Sequence, residues 1–135
     1  MGSFRRLRRL GDGHGRWSEL MRRGEVRLVD FDPSQGSEAN KRRPAIVVSN
    51  DRANAAVGRS GRGVVTVVPL TSNTARIFPF QVLLPAALAG LRVDSKAQAE
   101  QVRSVAVERM GAAICRLPTS IMAEVDDALR LHLDL

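Results

Sequence analysis

The run Val64-Val-Thr-Val-Val-Pro-Leu-Thr71 limits what this chain can fold into more than any other stretch. Six of its eight residues are β-branched, so their side chains suit a pleated sheet better than a helix. The loop Gly58 to Gly63 precedes it and the polar turn Thr71-Ser-Asn-Thr74 ends it, which makes it the strongest strand signal in the chain. Weaker signals of the same kind lie on both sides. Glu25 to Phe31 reads as a strand ended by the Asp32-Pro33 turn, Pro44 to Asn50 as a buried strand, and Phe80 to Leu84 as another, broken by Pro85. A strand over about 97 to 103 and a last short one over Ala112 to Cys115 complete the set. Asp51 to Val57 suits a short helical turn behind an Asn or Asp cap. Ser34 to Arg43 is a polar loop of about ten residues, long enough in a small domain to suggest a functional role.

A single long helix is expected. Pro118-Thr119-Ser120 starts it, and Ile121, Met122, Val125, Leu129 and Leu133 recur on one face, with Glu124, Asp126, Asp127, Arg130 and Asp134 on the other. Several short strands with Gly and Pro turns, plus one amphipathic helix, predict a mainly β domain with α. The form expected is a small barrel, whose closure limits exposed edges.

Composition then excludes several functions. The 135 residues suit one domain, and no apolar run approaches the roughly 18 to 20 residues that span a bilayer. A single Cys115 excludes an intrachain disulfide, no Cys or His cluster has zinc-ligand spacing, and a reducing cytoplasm is the expected location. With only His14 and His132, a histidine-pair ribonuclease or a Ser-His-Asp hydrolase is not expected. Gly58-Arg-Ser-Gly-Arg-Gly63 lacks the ending of a phosphate-binding P-loop and reads as a turn, as Asp30 and Asp32 read as solvent-facing or turn residues.

The net charge of +7 invites a polyanion, but its distribution says more than its total. Residues 1 to 23 hold seven Arg against Asp12 and Glu19, and 1 to 20 read as a flexible basic extension, an expression remnant or an over-long gene call ahead of a domain over 21 to 135. The stretch 41 to 103 holds ten basic and three acidic residues. Within it, polar groups gather at strand and loop edges: Lys41-Arg42-Arg43, Thr71-Ser72-Asn73, and Gln98, Glu100, Gln101 and Arg103. Arg can fork onto phosphate, hydroxyls and amides can fix phosphate or base edges, and a carboxylate can take a proton. In one groove such groups suffice for phosphodiester cleavage without metal. Scattered, they only cap strands and solvate the surface.

Met21-Arg-Arg-Gly-Glu-Val-Arg-Leu-Val-Asp-Phe-Asp-Pro33, Gly36-Ser-Glu38 leading to Lys41-Arg-Arg-Pro-Ala-Ile-Val-Val48, Pro69-Leu-Thr-Ser-Asn73 and Glu100-Gln-Val-Arg-Ser104, in that order, resemble the MazF/PemK family of toxin endoribonucleases over about residues 21 to 134. The resemblance implies an SH3-like barrel with a C-terminal helix and a homodimer. It also implies sequence-selective cleavage of single-stranded RNA by 2′-hydroxyl attack without metal or other cofactor, and a MazE-like antitoxin whose disordered tail folds over the toxin. Arg43 and Thr71 match the family's catalytic Arg and Thr, and the Gly36 to Arg43 loop matches the mobile loop beside them. Glu100 stands where the PemK branch has an Asp and is the candidate accessory base, whereas Gln98 stands where that branch has an Arg and lacks its charge. Ser37, Glu38, Lys41, Ser72, Asn73, Phe80, Gln98, Gln101 and Arg103 are the candidates for RNA contact, with Phe80 able to stack on a base. Gyrase-poisoning toxins of the same fold are the alternative. Against them, the chain ends His132-Leu-Asp-Leu135 without that group's aromatic ending.

Overall fold

The computed structural model describes residues 21–31 and 42–135. The basic extension, the turn after Phe31 and most of the long polar loop, with Ser37, Glu38 and Lys41, lie outside the described residues.

Seven strands form the sheet: β1 (Glu25–Asp30), β2 (Arg42–Val47), β3 (Val64–Thr71), β4 (Gln81–Leu84), β5 (Ser95–Gln98), β6 (Arg103–Ala106) and β7 (Met110–Arg116). Helices α1 (Asp51–Ser60), α2 (Ala86–Ala89) and α3 (Thr119–Leu133) join or cover them. The strand order is β4-β5-β3-β2-β1-β7, with β6 also on β3, and every pairing is antiparallel. Among the described residues no ladder joins β4 to β7, so strand pairing does not produce the closed barrel expected from the sequence. The result is a mainly β antiparallel sheet with helices, and α3 lies against β4.

The strand expected over 97 to 103 is two strands separated by a 3₁₀ turn at Ala99–Gln101. The reason is parity. Ala97 is opposite Leu70 and shares its face, whereas Val105 is opposite Val65 on the other face of β3. Residues eight apart in one regular strand share a face, so the turn has to flip the pleat between them. This places Ala97 and Ala99 in one core and Val105 and Val107 in a second. Pro69 sits at the gap where β3 changes neighbours from β6 to β5, a position that tolerates a residue without an N–H.

The buried run of β2 ends at Val47, earlier than expected, because the next residues build a helix start. Asn50 caps α1 by accepting from Ala53 N at 2.8 Å, while buried Asn54 donates to Ser49 O at 2.8 Å and accepts from Ser49 Oγ at 2.5 Å. These bonds make α1 ten residues long where only a turn was expected, and it continues to Gly61, whose φ of +71° ends it. On α3 the face Ile121, Met122, Val125 and Leu129 is buried with Ala128, but Leu133 is 47% exposed and does not join the core.

Two apolar clusters result. The even-numbered side of β3, Val68 and Leu70, packs with Val26, Ile46, Val82, Leu84 and the buried face of α3. The odd-numbered side, Val65 and Val67, packs with Met21, Val29, Ala45, Val47, Val105 and Met110. At the far edge β7 approaches β1 closely at Gly111, where an added Cβ would stand 2.9 Å from the Leu28 carbonyl oxygen. Buried Arg27 spans the same edge, bonding Glu25 Oε1 and the Gly111 carbonyl at 2.9 Å each.

Candidate active site

Cross-strand register assembles the site. Directly opposed residues in antiparallel strands send their side chains to one face. Met110 is opposite Val29, Val29 opposite Arg43, Thr71 opposite Lys96 and Lys96 opposite Leu83. Continuing the β2–β3 register from Ala45↔Pro69 by two residues puts Arg43 opposite Thr71. One row of side chains therefore crosses the sheet on the odd-numbered side of β3, apolar at Met110 and Val29, polar at Arg43, Thr71 and Lys96. Gln98 and Gln81, opposite one another, form the next row on the same face.

Arg43, Thr71 and Ser72 line one cavity of about 320 Å³ at the end of β2 and β3, with Leu70 and Val93 as its apolar wall. The Arg43 side chain is exposed, and among the described residues it makes no hydrogen bond or ion pair. Thr71 Oγ1 accepts from Asn73 N at 3.2 Å, and Asn73 Oδ1 accepts from Ala75 N at 3.3 Å. The turn thus uses an acceptor position of the Thr71 hydroxyl and leaves its proton to donate.

The other expected residues are distributed more widely. Glu100 and Gln101 lie on the 3₁₀ turn; Glu100 Oε2 accepts from Gln81 Nε2 at 2.8 Å, and Glu100 Oε1 is buried without a partner among the described residues. Gln81 in turn accepts from Phe78 N at 3.1 Å, so this buried amide ties the β3–β4 connection to the turn that carries Glu100. Arg103 sits opposite Val67, over the second core, with its guanidinium 5.1 Å from the Phe31 ring centroid. Arg103 is not among the residues that line the Arg43–Thr71 cavity. Phe80 is half-buried, stacked parallel on Phe78 with centroids 5.5 Å apart and tilted against His132 at 6.4 Å. Sequence reading missed Gln81, Lys96 and Phe78. The alternation of Lys96 with Gln98 was visible, but only the pairing with Thr71 gives it meaning.

A larger cavity, about 550 Å³, lies between α3 and the start of α1, where Arg23 and Asp126 form an ion pair at 2.6 Å. None of the expected site residues lines it except through the fold, and size alone does not make it the reaction site. Cys115 is half-buried on β7, and desolvation raises its thiol pKa above the ordinary value, which keeps it neutral. No helix among the described residues is long and apolar enough to cross a membrane.

The fold agrees with what comparison with known proteins shows. Residues 22–133 match the family model described as PemK-like, MazF-like toxin of type II toxin-antitoxin system. The chain belongs to this family, as its motifs implied. It is 62% identical over 116 residues to endoribonuclease MazF9 of Mycobacterium tuberculosis, covering 86% of this chain and 98% of that protein. Among solved structures, MazF of Deinococcus radiodurans superposes with a TM-score of 0.65 at 31% identity, covering 85% of this chain and 97% of that one. A MazE–MazF structure from the same organism gives 0.64 at 28%, covering 85% and 96%.

Proposed function

We propose that this protein is the toxin of a type II toxin-antitoxin pair and an endoribonuclease that cuts single-stranded RNA at selected sequences without a metal ion. The observation that carries this reading is that Arg43 and Thr71 line one cavity, in a chain of the PemK-like, MazF-like toxin family. The 2′-hydroxyl attacks the adjacent phosphorus, the bond to the 5′ oxygen breaks, and the products are a 2′,3′-cyclic phosphate and a 5′-hydroxyl. Arg43 stabilises the charge that builds on the phosphorane and delivers a proton to the departing 5′ oxygen, taking one back from solvent. Thr71 donates its hydroxyl proton to a phosphate oxygen, an interaction held in place by the Asn73 N–H behind it. Glu100, braced by Gln81, acts as accessory base for the 2′-hydroxyl proton.

The remaining assignments rest on the family. Ser37, Glu38, Lys41, Ser72, Asn73, Phe80, Gln98, Gln101 and Arg103 contact RNA, α3 rather than a strand ladder closes the sheet into an SH3-like barrel, and two copies pair as a homodimer. A MazE-like antitoxin inhibits it in the cytoplasm, a partner consistent with the MazE–MazF structures among its neighbours. Residues 1 to 20 lie outside the catalytic domain, and their removal leaves cleavage intact.

Incubation of the purified protein with several unrelated long RNAs in EDTA tests the reading. Discrete fragments with cyclic phosphate ends are expected. Intact RNA throughout, or inhibition of supercoiling by gyrase without RNA loss, overturns it.

A further inference from the structure

Beside the reaction site the sheet carries a second group of side chains that the cleavage scheme leaves unused. Lys96 is the direct cross-strand neighbour of Thr71, yet it is only 8% exposed. Its ammonium donates to the Arg76 carbonyl oxygen at 2.7 Å, and among the described residues no carboxylate lies within 4 Å of it. A buried ammonium has three donors and is costly to leave without a counter-charge. Among the described residues, two of its donors have no hydrogen-bond partner and its charge has no carboxylate beside it. The same nitrogen stands 5.8 Å from the centroid of Phe78, whose ring is 38% exposed although Phe80 backs it in parallel. The exposed Arg76 guanidinium lies 5.0 Å from that ring as well.

We propose that Arg76, Phe78 and Lys96 form a nucleotide subsite for single-stranded RNA, adjacent to the phosphate held by Arg43 and Thr71. The inference rests on the proposed nuclease reading and extends it to one flanking nucleotide. The base stacks on the side of Phe78 that Phe80 does not cover, taking the place of the exposed Arg76 guanidinium that lies over the ring, and the phosphate supplies an anion to Lys96 and to the displaced Arg76. A stacking ring with two cations over it is the combination that binds unpaired nucleotides with little preference for base identity. Continuity supports the choice of ligand: Arg43, Thr71 and Lys96 follow one another along a single row, so a strand of RNA running along the row meets the reaction site and then this subsite.

The test is the affinity of the full chain for a fluorescent 2′-O-methyl oligoribonucleotide, which offers no nucleophile and cannot be cut. Phe78→Ala weakens binding by about 10-fold, the loss of one stacked base. Lys96→Gln keeps an amide donor for the Arg76 carbonyl while removing the charge. It lowers the steepness of log affinity against log salt by about 0.7, the value for one phosphate contact on a single strand, and Lys96→Arg restores it. Wild-type affinity in Phe78→Ala with an unchanged salt slope in Lys96→Gln, both proteins folded by circular dichroism, overturns the subsite. Cleavage of natural RNA by the wild type is scored separately, so a failed subsite and a failed nuclease reading give different results.

Discussion

The two sides of β3 are built from one eight-residue strand and end in different ways. On the even-numbered side Val68 and Leu70 are both buried, in the cluster that includes the apolar face of α3, and Leu70 backs the wall of the Arg43–Thr71 cavity. On the odd-numbered side Val65 and Val67 are equally buried, but the apolar cluster stops at Ala45 and Val29, and the row continues as Arg43, Thr71 and Lys96. The difference teaches where a small sheet can keep reactive groups. A face covered along its full length contributes stability, whereas a face covered at one end contributes a rigid platform whose open end is available to a ligand.

That contrast can be broken most sharply at Arg43. Arg43→Ala lowers RNA cleavage by about 10²- to 10³-fold, the usual loss on removing one donor to a developing anion, with an unchanged denaturation midpoint. Full activity in a gel assay would remove Arg43 from the site. On the sealed side the effect falls on stability. Ile46→Ala costs about 3 kcal/mol by urea denaturation, and the fraction that stays folded cleaves at the normal rate. Next in size is Thr71→Val, which keeps the shape and removes the hydroxyl; a loss of about 2 kcal/mol in kcat/KM is expected for a hydrogen bond to a charged group, with recovery in Thr71→Ser. The smallest effect belongs to Cys115. Because burial raises its pKa, alkylation by iodoacetamide at pH 8 is slower than for a free thiol and speeds up on unfolding. The sign for stability follows: the neutral thiol is favoured by the fold, so stability is full below the ordinary thiol pKa and declines as pH rises through the raised value.

Much of the sheet was legible because its strands are β-branched or apolar runs bounded by Gly, Pro and polar turns, and its one long helix follows period 3.6. Val64 to Thr71 and the Ile121, Met122, Val125 and Leu129 face fall where the pattern puts them. The break at Ala99–Gln101 was not legible, since Ala97, Ala99, Val102 and Val105 look like one imperfect alternation. Only the existence of two cores, one on each side of β3, shows that the pleat must reverse. Leu133 was misplaced for a related reason: helical spacing says which residues share a face, while the point where the covered surface ends depends on the sheet beneath. Arg43 and Thr71 were readable through their motifs. Lys96, Gln81 and Phe78 were hidden because each gains its role from a partner far away in sequence: Thr71, Glu100 and Lys96 respectively.

The double engagement of β3 has a consequence for how the molecule opens. One of its edges is paired with β2, and the other with β6 and then β5, so no other strand shares ladders with three partners. Partial unfolding proceeds through the elements with a single ladder, β4 and β7 at the ends of the sheet and β6 on the flank of β3, while the centre persists. The amides of β3 are therefore expected to be the slowest to exchange with deuterated solvent, and Thr71 is the last residue of that strand. Fraying at the sheet ends can admit and release a bound chain while the hydroxyl that orients the phosphate stays anchored to the most persistent part of the fold.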